Sequence, residues 1–180
     1  IPSGEGIFHL TDAKDGAELT LFCVTAHQDY LAPWNDPRSV KDEVKSIYRL
    51  KYETQTFWQK IRSNIPSNYK ILWVDNAKNN ANIIWATAED DTNAPFVYKS
   101  VDGGDTWNKL EEGLPKELGK MSIAVCRSNP QKVYALIESD SEKEAGGLFV
   151  STNAGKSFSR VSGDHRIIQR AWYYIELFPD

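Results

Sequence analysis

Ser100-Val101-Asp102-Gly103-Gly104-Asp105-Thr106-Trp107 holds a chemical reason for a tight hairpin turn at nearly every position. Asp102 can fold its carboxylate back onto neighbouring backbone N–H groups. Gly103 and Gly104 accept positive φ without a Cβ penalty. Trp107 starts the returning strand with a ring large enough to fill the space between two sheets. A second version follows later, Ser151-Thr152-Asn153-Ala154-Gly155-Lys156-Ser157-Phe158, in which Asn stands for Asp, Ser for Thr and Phe for Trp.

Working outward from these turns, the flanking segments also align. Val97-Tyr98-Lys99-Ser100 matches Leu148-Phe149-Val150-Ser151, and Ile47-Tyr48-Arg49-Leu50 matches both. One run earlier, Ile83-Ile84-Trp85-Ala86 corresponds to Lys132-Val133-Tyr134-Ala135 and to Thr20-Leu21-Phe22-Cys23. Before those, Ile71–Val74 is set against Ser122–Val125 and Gly6–His9, making His9, Val74 and Val125 equivalent. Each unit is therefore four short β-prone runs separated by turn residues, the pattern of an antiparallel sheet. The expected fold is all-β, with blades at 6–61, 70–110 and 121–161 and the first strand of a fourth at 170–178. Asp12-Ala13-Lys14-Asp15-Gly16 is the expected first turn, and 51–56 the last turn of the first unit. A repeat of roughly 40–50 residues with four strands is the period of a β-propeller, whose ring needs roughly four to eight blades. The remaining blades are expected from a longer chain or another copy, and a start at Ile1 rather than Met reads as a processed or trimmed end.

The positions Ser100, Asp102, Gly104, Thr106 and Trp107, repeated as Ser151, Asn153, Gly155, Ser157 and Phe158, resemble the Asp-box, or BNR repeat, of sialidases, sortilin-type domains and several bacterial glycoside hydrolase families. The resemblance implies that the boxes are structural, sit between the third and fourth strands of a blade, and face away from the ligand. Ser128-Asn129-Pro130-Gln131-Lys132-Val133-Tyr134-Ala135-Leu136, Gly146–Phe149 and Arg170-Ala171-Trp172-Tyr173-Tyr174 are similar to bacterial secreted BNR-repeat proteins labelled glycosyl hydrolases or sortilin-like. That likeness implies an extracellular or periplasmic protein.

A formal net charge of −4 and the lack of a basic stripe argue against nucleic acid as a partner. No apolar run reaches the length of about eighteen residues that a membrane-spanning helix needs. Cys23 and Cys126 fit no C-x-x-C spacing and lie in apolar segments, which suits buried free thiols. The nucleophile elbow G-x-S-x-G and the zinc pattern H-E-x-x-H are missing. The Asp102–Asp105 turn lacks the spaced acidic ligands of a calcium loop. No metal and no cofactor are expected.

With blade strands lettered A to D, the A–B and C–D turns share one end of each sheet and the B–C and D–A connections share the other. The resemblance assigns ligand work to the second end. Its first B–C connection is long and carries His27, Asp29, Tyr30, Trp34 and Asp36, and loops of that length tend to be functional. The second carries Asp90 and Asp91. The D–A connections contribute Asp164, His165 and Arg166, with Trp172 beyond them. Each group also has a plainer role: His27 and Trp34 as pins for the loop, Asp90 and Asp91 as a solvated turn, 164–166 as a polar turn. A sialidase would need an arginine triad, and Arg49, Arg62 and Arg127 fall at unmatched places without the R-I-P motif. The expected function is binding of a glycan or protein through the B–C/D–A end. The alternative is a glycoside hydrolase whose acid and base come from Asp29, Asp36, Asp90 or Asp91, paired at about 5–10 Å.

Overall fold

The computed structural model describes residues 5–27, 46–61, 64–90, 92, 94–139, 145–169 and 175–179, with main chain alone at 5–8, 26 and 27. These residues form three four-stranded antiparallel sheets, none closed on itself. The first contains β1 (Glu5–Asp15), β2 (Glu18–His27), β3 (Ser46–Lys51) and β4 (Gln59–Lys60). The second contains β5 (Lys70–Asn76), β6 (Ile84–Glu89), β7 (Pro95–Ser100) and β8 (Asn108–Leu110). The third contains β9 (Met121–Val125), β10 (Val133–Ile137), β11 (Gly147–Ser151) and β12 (Ser159–Ser162). Each sheet is a simple up-and-down meander. The described residues include one complete 3₁₀ turn, His165–Ile167.

The second sheet is the middle layer, and its strands show why. All of β6 is buried, and its side chains alternate between two cores, as the two-residue period of a strand dictates. Ile84, Ala86 and Ala88 join Phe22, Val24 and Ile47 of the first sheet. Trp85 points the other way, into a cluster with Ile123, Val133 and Phe149 of the third. On β7 the same alternation sends Tyr98 to the first core and Val97 to the second. A half-exposed sheet would carry polar residues at every other position; here both faces need apolar ones.

The second and third strands keep the expected frame. Leu21, Ile84 and Val133 are equivalent, pairing with Leu50, Ser100 and Ser151. The first-strand frame differs. The residues opposite Leu21, Ile84 and Val133 are Asp12, Asn76 and Val125, so His9 and Val74 do not align with Val125. The slip arises in the connections from first to second strand, since pairing runs unbroken from His9 to Asp12 and from Trp73 to Asn76; the register shifts at Ile7/His9 and Ile71/Trp73 lie beyond it. The first turn is also shorter than expected. β1 runs on to pair Asp15 with Glu18, leaving Gly16 (φ 61°) and Ala17 as the loop. The segment expected as a fourth-blade strand, 170–178, lies outside the described residues over 170–174, and 175–179 pair with no strand.

Equivalent contacts join neighbouring sheets. Arg49 on β3, buried to 9% exposure, donates from Nη1 to Gly103 O in the next sheet at 2.7 Å. Lys99 occupies the same place on β7 and donates from Nζ to Ala154 O at 2.5 Å. The third-sheet counterpart of these cations is Val150, so the latch is not repeated from there. Cys23 and Cys126 are buried thiols that are not joined in a disulfide.

Candidate functional site

The two eight-residue turns match bond for bond. Ser100 Oγ donates to Asp102 Oδ1 at 2.7 Å and accepts from Gly104 N at 2.8 Å. Asp102 accepts from Thr106 N at 2.8 Å and Thr106 Oγ1 at 2.5 Å. In the third sheet Ser151 Oγ donates to Asn153 Oδ1 at 2.8 Å and accepts from Gly155 N at 2.8 Å, and Ser157 N donates to Asn153 Oδ1 at 3.0 Å. The last bond reverses direction, because the Asn153 amide donates to Ser157 Oγ where a carboxylate could only accept. Thr106 holds the Asp102 carboxyl down at about 2, first through its hydroxyl and then through its backbone N–H. Ala154 takes the place of Gly103 at φ 59°, a conformation costing an L-residue about 1–2 kcal/mol. The side chains of Ser100, Asp102 and Thr106, and of Ser151, Asn153 and Ser157, are spent on holding the turns. These turns are built for shape.

At the opposite end, the expected ligand residues divide. His27 ends β2, and its side chain is not described; Asp29, Tyr30, Trp34, Asp36, Asp91 and Trp172 lie outside the described residues. Asp90 has its Oδ1 engaged by Thr92 N at 2.9 Å, Thr92 Oγ1 at 2.7 Å and Ala94 N at 3.0 Å. These donors, the Thr92 hydroxyl foremost, lower its pKa. Asp164 caps the 3₁₀ turn and takes Arg166 Nη2 at 2.5 Å, with its carboxyl held down at about 2 chiefly by that side chain. His165 and Arg166 are exposed. Both described clusters thus act as locally satisfied turns.

The same end does hold a cleft of about 540 Å³, formed by the 92–96 corner, the start of the return from β8 and the linker to the third sheet. Phe96 stacks on Tyr69 with centroids 5.3 Å apart, and Lys109 Nζ lies 4.1 Å from its centroid. Lys109 Nζ also pairs with Glu111 Oε1 at 2.7 Å. Leu110, Leu114 and Leu118 supply apolar walls, while Lys116 and Glu117 stand exposed on the rim. Sequence reading passed over this linker because it has no strand period and little aromatic content. The available signal was Leu114 and Leu118 one helical turn apart between charged residues, in a D–A connection.

A second cluster of titratable groups lies where the first strands of all three sheets meet. His9 on β1 stacks on Trp73 of β5, ring centroids 3.6 Å apart. Asp75 reaches across to accept from Val125 N of β9 at 2.9 Å and from Asn76 N at 2.8 Å. Thr11 Oγ1 donates to Asn76 Oδ1 at 2.8 Å, and Lys78 Nζ donates to Thr11 Oγ1 at 2.6 Å. Burial lowers the His9 pKa, against the opposing pull of the Val74 bond, Asp75 and Glu176. Burial raises that of Asp75, against the N–H groups of Val125 and Asn76. Among the described residues, no three His, Cys, Asp or Glu side chains converge in a way that could hold a metal. No described helix is long and apolar enough to cross a membrane.

No family model matches the chain, and no curated protein does. Among solved structures it is similar to a protein of unknown function from Dyadobacter fermentans DSM 18053, at 15% identity and a TM-score of 0.45. The match covers 84% of this chain and 48% of that one, so the chain spans about half the length of that protein.

Proposed function

We propose that the chain is part of an extracellular Asp-box β-propeller and binds a protein ligand, an extended segment of which lies in the loop-end cleft. Three features support the propeller. The sheets stack in chain order; first strand lies beside first strand, as in the Thr11–Asn76 and Asp75–Val125 bonds; and equivalent latches recur from sheet to sheet. The remaining blades come from a longer chain or another copy.

The observation that carries the binding reading is the cleft itself: apolar walls, a proline at 95 and another at 115, and a rim of both charge signs. Such a lining suits a peptide whose apolar side chains enter while its charges meet Lys116 and Glu117. Hydrolysis of a glycoside needs two facing carboxylates, at least one of them poorly solvated. The cleft's own carboxylates are exposed, with Glu111 tied to Lys109, and Asp90 is consumed by its loop. A glycan in place of a peptide remains an outcome of the test.

Selection of displayed random peptides on the full chain tests this. Leu114→Arg should weaken the selected peptides at least tenfold, or about 1.4 kcal/mol, and Thr152→Arg at the opposite end should leave them unchanged. Peptides that bind Leu114→Arg as well as the parent, or a selection that yields none while glycans bind, would overturn the protein-ligand reading.

A further inference from the structure

At the end of the sheets that carries the two eight-residue turns lies a smaller cleft of about 280 Å³, lined by the first strands of all three sheets and by residues 177–179. Its volume is just under the roughly 300 Å³ at which pockets for drug-sized ligands begin, so its occupant is smaller than those. Leu10, Leu177 and Phe178 supply its apolar lining, with the His9–Trp73 stack beside them.

The charges around this cleft are unequally spent. Asp12 lies with Oδ1 3.6 Å from Lys78 Nζ. The Asp75 carboxylate is closed off by the N–H groups of Val125 and Asn76. Arg127, in the segment that follows β9, is exposed, lines the cleft and makes no hydrogen bond or ion pair among the described residues. The net offer is a guanidinium at the edge of an apolar space, with the Lys78 ammonium also on its lining.

We propose that this cleft binds a small organic carboxylate, its apolar body against Leu10, Leu177 and Phe178 and its carboxylate on Arg127. A guanidinium presents two parallel N–H donors that match a carboxylate's two oxygens. A dianion such as phosphate would sit in the field of Asp12 and Asp75 as well, which favours the singly charged group. The site is separate from the loop-end cleft and stands whether or not that cleft binds peptide.

The test is a titration of the full chain with hexanoate, benzoate and phenylacetate, each set against its uncharged amide, read by heat and by tryptophan fluorescence. At least one carboxylate should bind saturably and at least tenfold more tightly than its amide. Arg127→Gln, at an exposed position, should erase that tenfold preference. Equal binding of acid and amide would overturn the assignment. So would a preference that survives Arg127→Gln, or no saturation by any of the three acids.

Discussion

Replacing Trp107 probes how the repeat is built more sharply than any other single change. Its side chain is 2% exposed and packs in the core between the first and second sheets. Its indole Nε1 donates to Ile61 O at 3.1 Å and Gly104 O at 3.0 Å, tying the exit of one sheet to the turn of the next. Asn64 grips the backbone of the same residue from both sides, accepting from Trp107 N at 2.8 Å and donating to Trp107 O at 2.7 Å. Truncating a buried aromatic of this size costs about 3–5 kcal/mol, transfer and cavity together. Trp107→Phe keeps most of the apolar contact and strands two carbonyls that share one donor, so it should cost about 1–2 kcal/mol. The pair separates packing from hydrogen bonding. Urea unfolding monitored by far-UV circular dichroism gives both values, provided the slope with denaturant is unchanged. A Trp107→Ala loss under about 1 kcal/mol would mean that the ring is not the inter-sheet filler. A neutral Trp107→Phe would mean that the indole bonds contribute nothing net.

Gly113 has φ 79°, and a Cβ there would lie 1.9 Å from Phe158 O, so Gly113→Ala should destabilise by more than about 2 kcal/mol in the same unfolding assay. The folded-state pKa of Asp102, about 2, lies below its ordinary 3.8. Its contribution to stability is thus full above about pH 4 and is lost as pH falls through 2; Asp102→Asn should flatten that limb of the stability–pH curve. His9 acts in the same sense at higher pH: burial lowers its pKa from 6.5, so the fold favours the neutral ring and loses stability as pH falls through that value. His9→Phe should remove this dependence in pH-jump denaturation curves. If the ring of blades is completed by another copy, light scattering of the isolated chain should show association rising with concentration, and a monomer at every concentration would refute that arrangement.

What was legible in the sequence follows from where the information sits. Turn chemistry is local, so Ser100–Trp107 and its copy announced their own bonds, and the second and third strands inherited a correct frame from them. The first strands have no such anchor, and where each one ends against its second strand is set by pairing that local sequence does not reveal. The loop-end expectations weighed chemistry by residue type: Asp90 and the Asp164–Arg166 pair looked available and are engaged locally. The clefts, by contrast, draw on Phe96 with Leu114, and on His9 with Trp73 and Arg127, groups far apart in the chain and unremarkable in their own segments. Only the stacking of sheets brings them together. Arg49 and Lys99 were aligned as equivalent in the sequence, yet their shared task of reaching the next sheet's turn required knowing which sheet is next.

The central claim, that a protein ligand is held at the loop end, is tested most directly by hydrogen–deuterium exchange of the full chain with and without a selected peptide. Protection should appear across 92–96 and 109–118 and be absent from 101–107 and 152–157. Protection confined to those two turns, with 109–118 unchanged, would contradict the claim.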